Sequence, residues 1–151
     1  MSVYQVSGRT AATTATANNA SFGLWNPHAT QRLMVTEIGF FATAAPTAGA
    51  SLALRRTTAR GTTTSVTPGI AQDLDRGATP PSGALLDISY SVQPTLETVA
   101  LFDYVFAAVA ASGMIYPFPN GIKIPPGAGL VLVNAAAIIV PINAVWFRWD
   151  E

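Results

Sequence analysis

The chain reads as an all-β protein, a single antiparallel β-sandwich of about eight strands. Three observations predict this. Turn-forming clusters recur at short intervals, at Asn18-Asn19, Asn26-Pro27, Pro46 to Gly49, Gly61, Pro68-Gly69, Gly77 to Gly83, Gln93-Pro94, Ser112-Gly113, Pro119 to Gly121, Pro125 to Gly129 and Pro141. The runs between them are apolar or alternating and of strand length. One device appears three times: "PTAGASLAL", "PPSGALLDI" and "PPGAGLVLV" each set Pro and then Gly ahead of an apolar run. Pro presets φ at the turn, and Gly supplies the φ > 0 position that lets the chain reverse into the next strand. Finally, in "INAVWFRWDE" an extended chain puts Trp146 and Arg148 on one face and Phe147 and Trp149 on the other. Large rings on both faces predict a central strand, with one face in the core and the other covered by something else.

In chain order the predicted strands are Val3 to Val6, Phe22 to Trp25, Arg32 to Thr43, Ser51 to Thr57, Leu85 to Tyr90, Val99 to Phe106, Gly129 to Val133 and Ile142 to Trp149. Between the first two, Arg9 to Ala20 ("RTAATTATANNA") is small and polar without an apolar period, and predicts an extended arm or loop. Thr57 to Ala84, with "TTARGTTTSVTPG" and "DRGATPPSG", predicts a long loop excursion at one end of the sandwich, where binding tends to sit. "PTLETVALFDYVFAAVAASG" carries mixed signals: Thr95 suits a helix cap, Ala107 to Ala111 favours helix, and Gly113 sits where a C-terminal cap would be. Its middle, Val99 to Phe106, alternates and is β-branched and aromatic, which predicts a strand with room for a short helical turn over Ala107 to Ala111. "PPGAGLVLV" has no charge, and this predicts a strand buried on both faces or lying against a neighbouring subunit.

At 151 residues the chain suits one domain spanning 1–151. Hydrophobic residues make up 50% and charged residues only 11%, with a formal net charge of zero. Such a surface has little charge repulsion to keep copies apart, which predicts a homo-oligomer or a subunit of an assembly and argues against a nucleic-acid partner. There is no Cys, so disulfides, thiolate metal sites and cysteine nucleophiles are excluded. The start, "MSVYQVSGRTAATTATA", lacks a basic segment followed by an apolar one, so synthesis in a cytoplasm is expected. From Ile124 to Phe147 no residue is charged, which meets the length of a membrane-spanning helix. Pro125, Pro126, Gly127, Gly129, Asn134, Pro141 and Asn143 break that reading, and two strands are expected there instead of a span.

No catalytic constellation stands out. The single histidine, His28 in "WNPHAT", reads as a turn residue facing solvent, with no Cys or nearby carboxylate to complete a metal site. Asp73 and Asp75 lack the Gly and Glu of a calcium loop, and a solvated loop is expected. Glu37 and Asp103 would have to meet in space to serve as a glycosidase pair. "GAGLVL" precedes its strand instead of following one, and no phosphate-binding loop is present, so no cofactor is expected. Arg55, Arg56 and Arg60 cluster in "LRRTTARG"; they read as a solvated strand end or as a contact with a protein partner, since guanidinium groups suit paired bonds to carboxylates.

"LWNP" (24–27), "PPSGALLD" (80–87), "QPTL" (93–96), "PFP" (117–119), "IPPGAGL" (124–130) and the closing "FRWDE" together resemble small jelly-roll virion proteins of tailed bacteriophages, the capsid decoration or cement proteins. The resemblance implies a jelly-roll sandwich that forms a homotrimer on the outside of an icosahedral head and bridges its major capsid protein without catalysis. It carries over no site residues. Alternatives are another virion subunit, of tail, neck or fibre head, and a carbohydrate-binding sandwich whose Trp25, Trp146 or Trp149 would stack on sugar rings.

Overall fold

A computed structural model of the chain describes residues 2–9, 16–42, 44–46, 48–71, 79–109, 113–138 and 142–151. These residues form eleven strands: β1 (Val3–Arg9), β2 (Ala20–Asn26), β3 (Leu33–Ala42), β4 (Ala50–Ala59), β5 (Thr62–Pro68), β6 (Ile70–Ala71), β7 (Leu85–Val92), β8 (Thr95–Phe106), β9 (Gly113–Ile124), β10 (Ala128–Asn134) and β11 (Ile142–Asp150). The sheets are antiparallel, with orders β6-β1-β11-β3-β9 and β5-β7-β2-β10-β4-β8. Eight of the strands pair from the outside of the sequence inward: β1 with β11, β2 with β10, β3 with β9 and β4 with β8. Successive pairs fall alternately in the two sheets, so a long double strand is rolled on itself, which is the jelly roll.

The strand count corrects the expected eight to eleven, because β5, β6 and β9 were not foreseen. β9 contains Pro117 and Pro119 and so reads as a turn; it is tolerated because β9 is an edge strand, paired with β3 alone. The first part of the expected excursion over 57–84 is strand: Thr57 to Ala59 end β4, and β5 and β6 follow, while 72–78 lie outside the described residues. Asp73 and Asp75 lie outside the described residues. In the arm expected over 9–20, Arg9 ends β1 and Ala20 opens β2, while 10–15 lie outside the description. Asn18, in the left-handed region at φ 62, donates its N–H to Asn134 O at 2.7 Å and pins the turn to the end of β10. Ala107 to Val109 are not helical; the rest of the expected helical turn falls outside the described residues.

The core lies between the sheets, where Phe22, Leu24, Leu54, Leu86 and Leu130 of one face meet Val35, Ile38, Phe40, Phe147 and Trp149 of the other. Alternation along β11 is as expected: Phe147 and Trp149 are fully buried and Trp146 and Arg148 half-buried on the outer face. β11 sits mid-sheet between β1 and β3.

β10 is buried on both faces within the single chain. Leu130 and Leu132 enter the core, while Val131 and Val133 join Ala20 and Ala53 in a second cluster covered by Tyr90, Leu96 and Ala100. The cover has a topological cause. The links Arg60-Gly61 and Gln93-Pro94 join β4 to β5 and β7 to β8, strands that stand four positions apart in the six-stranded sheet. Four strand spacings amount to about 19 Å, whereas two residues bridge about 10 Å. The strand ends must therefore leave their rows and cross the outer face of β2 and β10. β4 and β8 slip register three times where they do so, between Leu54 and Ala59. The two crossing segments touch each other: a Cβ on Gly61, at φ 76, would press on Val92 O and on the Pro94 and Gln93 backbone. Gln93 Oε1 accepts the Ala20 N–H at 2.6 Å and ties the second crossing to β2.

Where the edges of the two sheets approach each other, Phe102 and Tyr104 of β8 meet Tyr116 and Phe118 of β9 in a run of rings with centroids 5.2–5.6 Å apart across the gap. The Tyr104 hydroxyl is buried there without a hydrogen-bond partner, and burial together with neighbouring Tyr116 raises its pKa above the ordinary tyrosine value. An unpaired buried hydroxyl costs stability, so Tyr104→Phe is expected to leave neutral-pH stability unchanged or raised by about 1 kcal/mol. A folded-state pKa above the unfolded one means stability that is full below about pH 10 and falls as pH rises beyond it. Melting curves from neutral pH to pH 11 should show that fall, and the Phe variant should lose less.

Candidate functional site

Arg55, Arg56 and Arg60 do not act together. Arg55 and Arg56 are consecutive in β4 and project from opposite faces. Arg56 reaches the other sheet and donates from Nη1 to Lys123 O at 2.6 Å. Arg55 sits over Val131 on the outer face, and its Nε is buried without a partner. Arg60, at the first crossing, makes a two-pronged pair with Asp87 of β7, Nε to Oδ2 at 2.9 Å and Nη2 to Oδ1 at 2.6 Å. The Asp87 side chain is 1% exposed and that of Arg60 30%. The hydrogen bond to Asp87 holds the Arg60 pKa above its ordinary value. Tyr90, three residues further along β7, lays its hydroxyl in the space that a side chain on Gly23 would fill. Its own pKa is raised, chiefly by burial and then by Asp87. Arg60 is thus a latch for the crossing segment. A lone acid in the apolar run "LLDIS" was the sequence signal for this pair, since a buried carboxylate needs a donor.

The outer face of the five-stranded sheet carries an aromatic plate. Trp146 lies over Gly39 of β3, where a Cβ would overlap the indole, and Phe41 lies over Gly113 of β9 in the same way. The two rings stack at 5.4 Å with 18° between their planes. Trp146 Nε1 donates to Glu37 Oε1 at 3.0 Å, and the other Glu37 oxygen is 3.9 Å from Arg148 Nη1. The bland account of the plate is that large rings shield the glycine backbone beneath them. Chemically it is a flat apolar surface with a charged pair at its rim. Of the remaining tryptophans, Trp149 is fully buried and Trp25 is half-buried, as Trp146 is.

Other candidates are absorbed by the fold. His28 is half-buried, and its Nδ1 accepts the N–H groups of Gln31 at 2.8 Å and Thr30 at 3.1 Å, so it builds its turn. Glu37 is on β3 and Asp103 on β8, in different sheets, and no carboxylate pair forms. The Glu151 carboxylate accepts from Trp149 Nε1 at 2.8 Å, Gln31 Nε2 at 3.0 Å, Ser82 N at 3.1 Å and the Ser82 hydroxyl, and so joins β11 to the segments before β3 and β7. A shallow depression of about 240 Å³ beside it is lined by Arg32, Leu33, Met34, Lys123, Asp150 and Glu151. Among the described residues no group of three His, Asp or Glu could hold a metal ion, and no helix is long and apolar enough to cross a membrane.

Arg60→Ala strands a buried carboxylate, and breaking such a pair typically costs about 3–5 kcal/mol when both partners are buried. With Arg60 partly exposed, about 2–3 kcal/mol is expected from denaturant unfolding. Arg56→Ala should cost under about 1 kcal/mol. No protein family matches the chain, and neither a curated protein nor a solved structure does.

Proposed function

We propose that the chain is a structural virion protein, a capsid decoration or cement subunit that binds the outside of a tailed-phage head as a homotrimer and bridges its shell proteins. It acts by burying surface and performs no reaction. The observation that carries this reading is where the exposed apolar side chains sit. Among the described residues, four of the six large exposed apolar side chains, Val66 on β5, Val99 and Val105 on β8 and Ile115 on β9, are 44%, 74%, 74% and 53% exposed and lie on strands at sheet edges; the other two are Val92 at the end of β7 and Val109 just after β8. Edges with apolar side chains and few charges favour contact with further protein. The nested strand pairing supports the reading, because jelly rolls recur in capsid and lectin domains. The resemblance noted above supplies the phage head; a tail, neck or fibre-head position would use the same surfaces.

The aromatic plate favours a second reading, a carbohydrate-binding sandwich in which a sugar ring stacks on Trp146 and Phe41 while Glu37 and Arg148 bond its hydroxyls. The readings separate cleanly. On the first, the protein at micromolar concentration is a trimer by native mass, and it co-sediments with empty shells of its major capsid protein. A monomer that ignores shells contradicts it. Arg55→Ala with Arg56→Ala should weaken shell binding, and undiminished binding would remove the arginines from the contact. On the second, a glycan array should show a ligand whose binding Trp146→Ala abolishes.

A further inference from the structure

We propose that copies of this chain join edge to edge through their six-stranded sheets, the β5 edge of one copy pairing with the β8 edge of the next. The inference rests on the self-assembling subunit described above and names the surface it uses. A strand at a sheet edge leaves a row of backbone N–H and C=O groups unpaired, and proteins that remain apart blunt such edges with prolines, charges, bulges or brevity.

The five-stranded sheet is blunted at both edges. β6 has two residues; β9 carries Pro117, Pro119 and exposed Lys123, and breaks register opposite Thr36. The six-stranded sheet is not. β5 ("TTTSVTP") is β-branched and uncharged, with its one proline at the last position, and past a single slip between Thr62 and Thr63 it runs in regular register with β7 as far as Pro68. In β8 the segment Phe102 to Phe106 runs in regular register with Ala50 to Leu54, without proline or cation, and its one charge is Asp103. Among the described residues no strand pairs with the far side of either.

Charge weighs against a seam of two β8 edges, and a seam of two β5 edges would be two-fold, which does not close the trimer proposed above. Two β8 edges would bring Asp103 and Glu97 of both copies into one seam, and like charges across strands repel. β5 brings no charge, and the neighbouring Arg60 is already held by Asp87. Directly paired residues share a face, which places Val66 with Asp87 and Val105 with Ser51, both on the outer face of the sheet. Joining the edges therefore brings the two exposed valines to the same side of the seam. Because the edges stand at opposite ends of one sheet, the contact is head to tail, and it closes into a ring when the rotation between copies allows.

The chain has no cysteine, so Val66→Cys and Val105→Cys each introduce a single thiol at an exposed site. Under mild oxidation a mixture of the two variants should yield a disulfide-linked species holding one copy of each, and neither variant alone should cross-link. A self cross-link of either variant alone, or a wild-type oligomer whose variants form no mixed disulfide, would overturn the edge pairing and leave self-assembly standing. A native mass of one chain would overturn both. Val105→Lys, at a site already open to water, should weaken assembly at least about tenfold, through a charge desolvated in the seam; unchanged assembly would overturn the pairing.

Discussion

The fold depends on a mismatch between chain length and sheet width. Two links of two residues each must join strands four positions apart, so the ends of β4 and β8 abandon their rows and cross the outside of β2 and β10. Everything distinctive about the molecule follows. The crossing gives Val131 and Val133 a cover made by the same chain, and it requires Gly61, whose backbone at φ 76 threads against the second crossing. It also carries Arg60 from the end of β4 to Asp87 on β7. A jelly roll without β5 to β7 would connect β4 directly to its neighbour β8 and leave the outer face of β10 bare.

Charged residues are only 11% of the chain, and several of them hold the fold together. Arg60 and Asp87 lock the crossing, Glu37 and Arg148 frame Trp146, and Glu151 gathers Trp149, Gln31 and Ser82 into one node that ties β11 to the segments before β3 and β7. A buried pair such as Arg60 with Asp87 contributes little net stability against a hydrophobic replacement, but either half alone is costly, so the pair enforces one path for the chain. Beside a few exposed charges such as Glu97, Asp103 and Lys123, the sheet edges carry exposed threonine and valine, a composition suited to burial against protein.

The sequence made the parts that obey local rules legible. β2, β3, β10 and β11 show their apolar runs and turn residues plainly, and the uncharged "PPGAGLVLV" rightly implied burial on both faces. β9 was hidden because Pro117 and Pro119 signal turns unless the strand is at an edge, and edge position is a property of the whole sheet. β5 was hidden because threonines carry no apolar alternation. The helical signals around Thr95 gave way to strand because Leu96 and Ala100 cover the second cluster, a tertiary demand that capping rules do not see. As for the sites, the arginine cluster was visible as a run, yet its members serve three different places. The plate of Trp146 and Phe41 needed register, since only pairing across β11, β3 and β9 sets each ring over a glycine.

Hydrogen exchange of the Leu130 to Val133 amides, followed at nanomolar and at micromolar protein, tests the central claim most directly. If the chain covers both faces of β10 by itself, these amides should open only with global unfolding, at a rate independent of concentration. Protection that appears only at the higher concentration would mean that another copy supplies the cover, and would contradict the account.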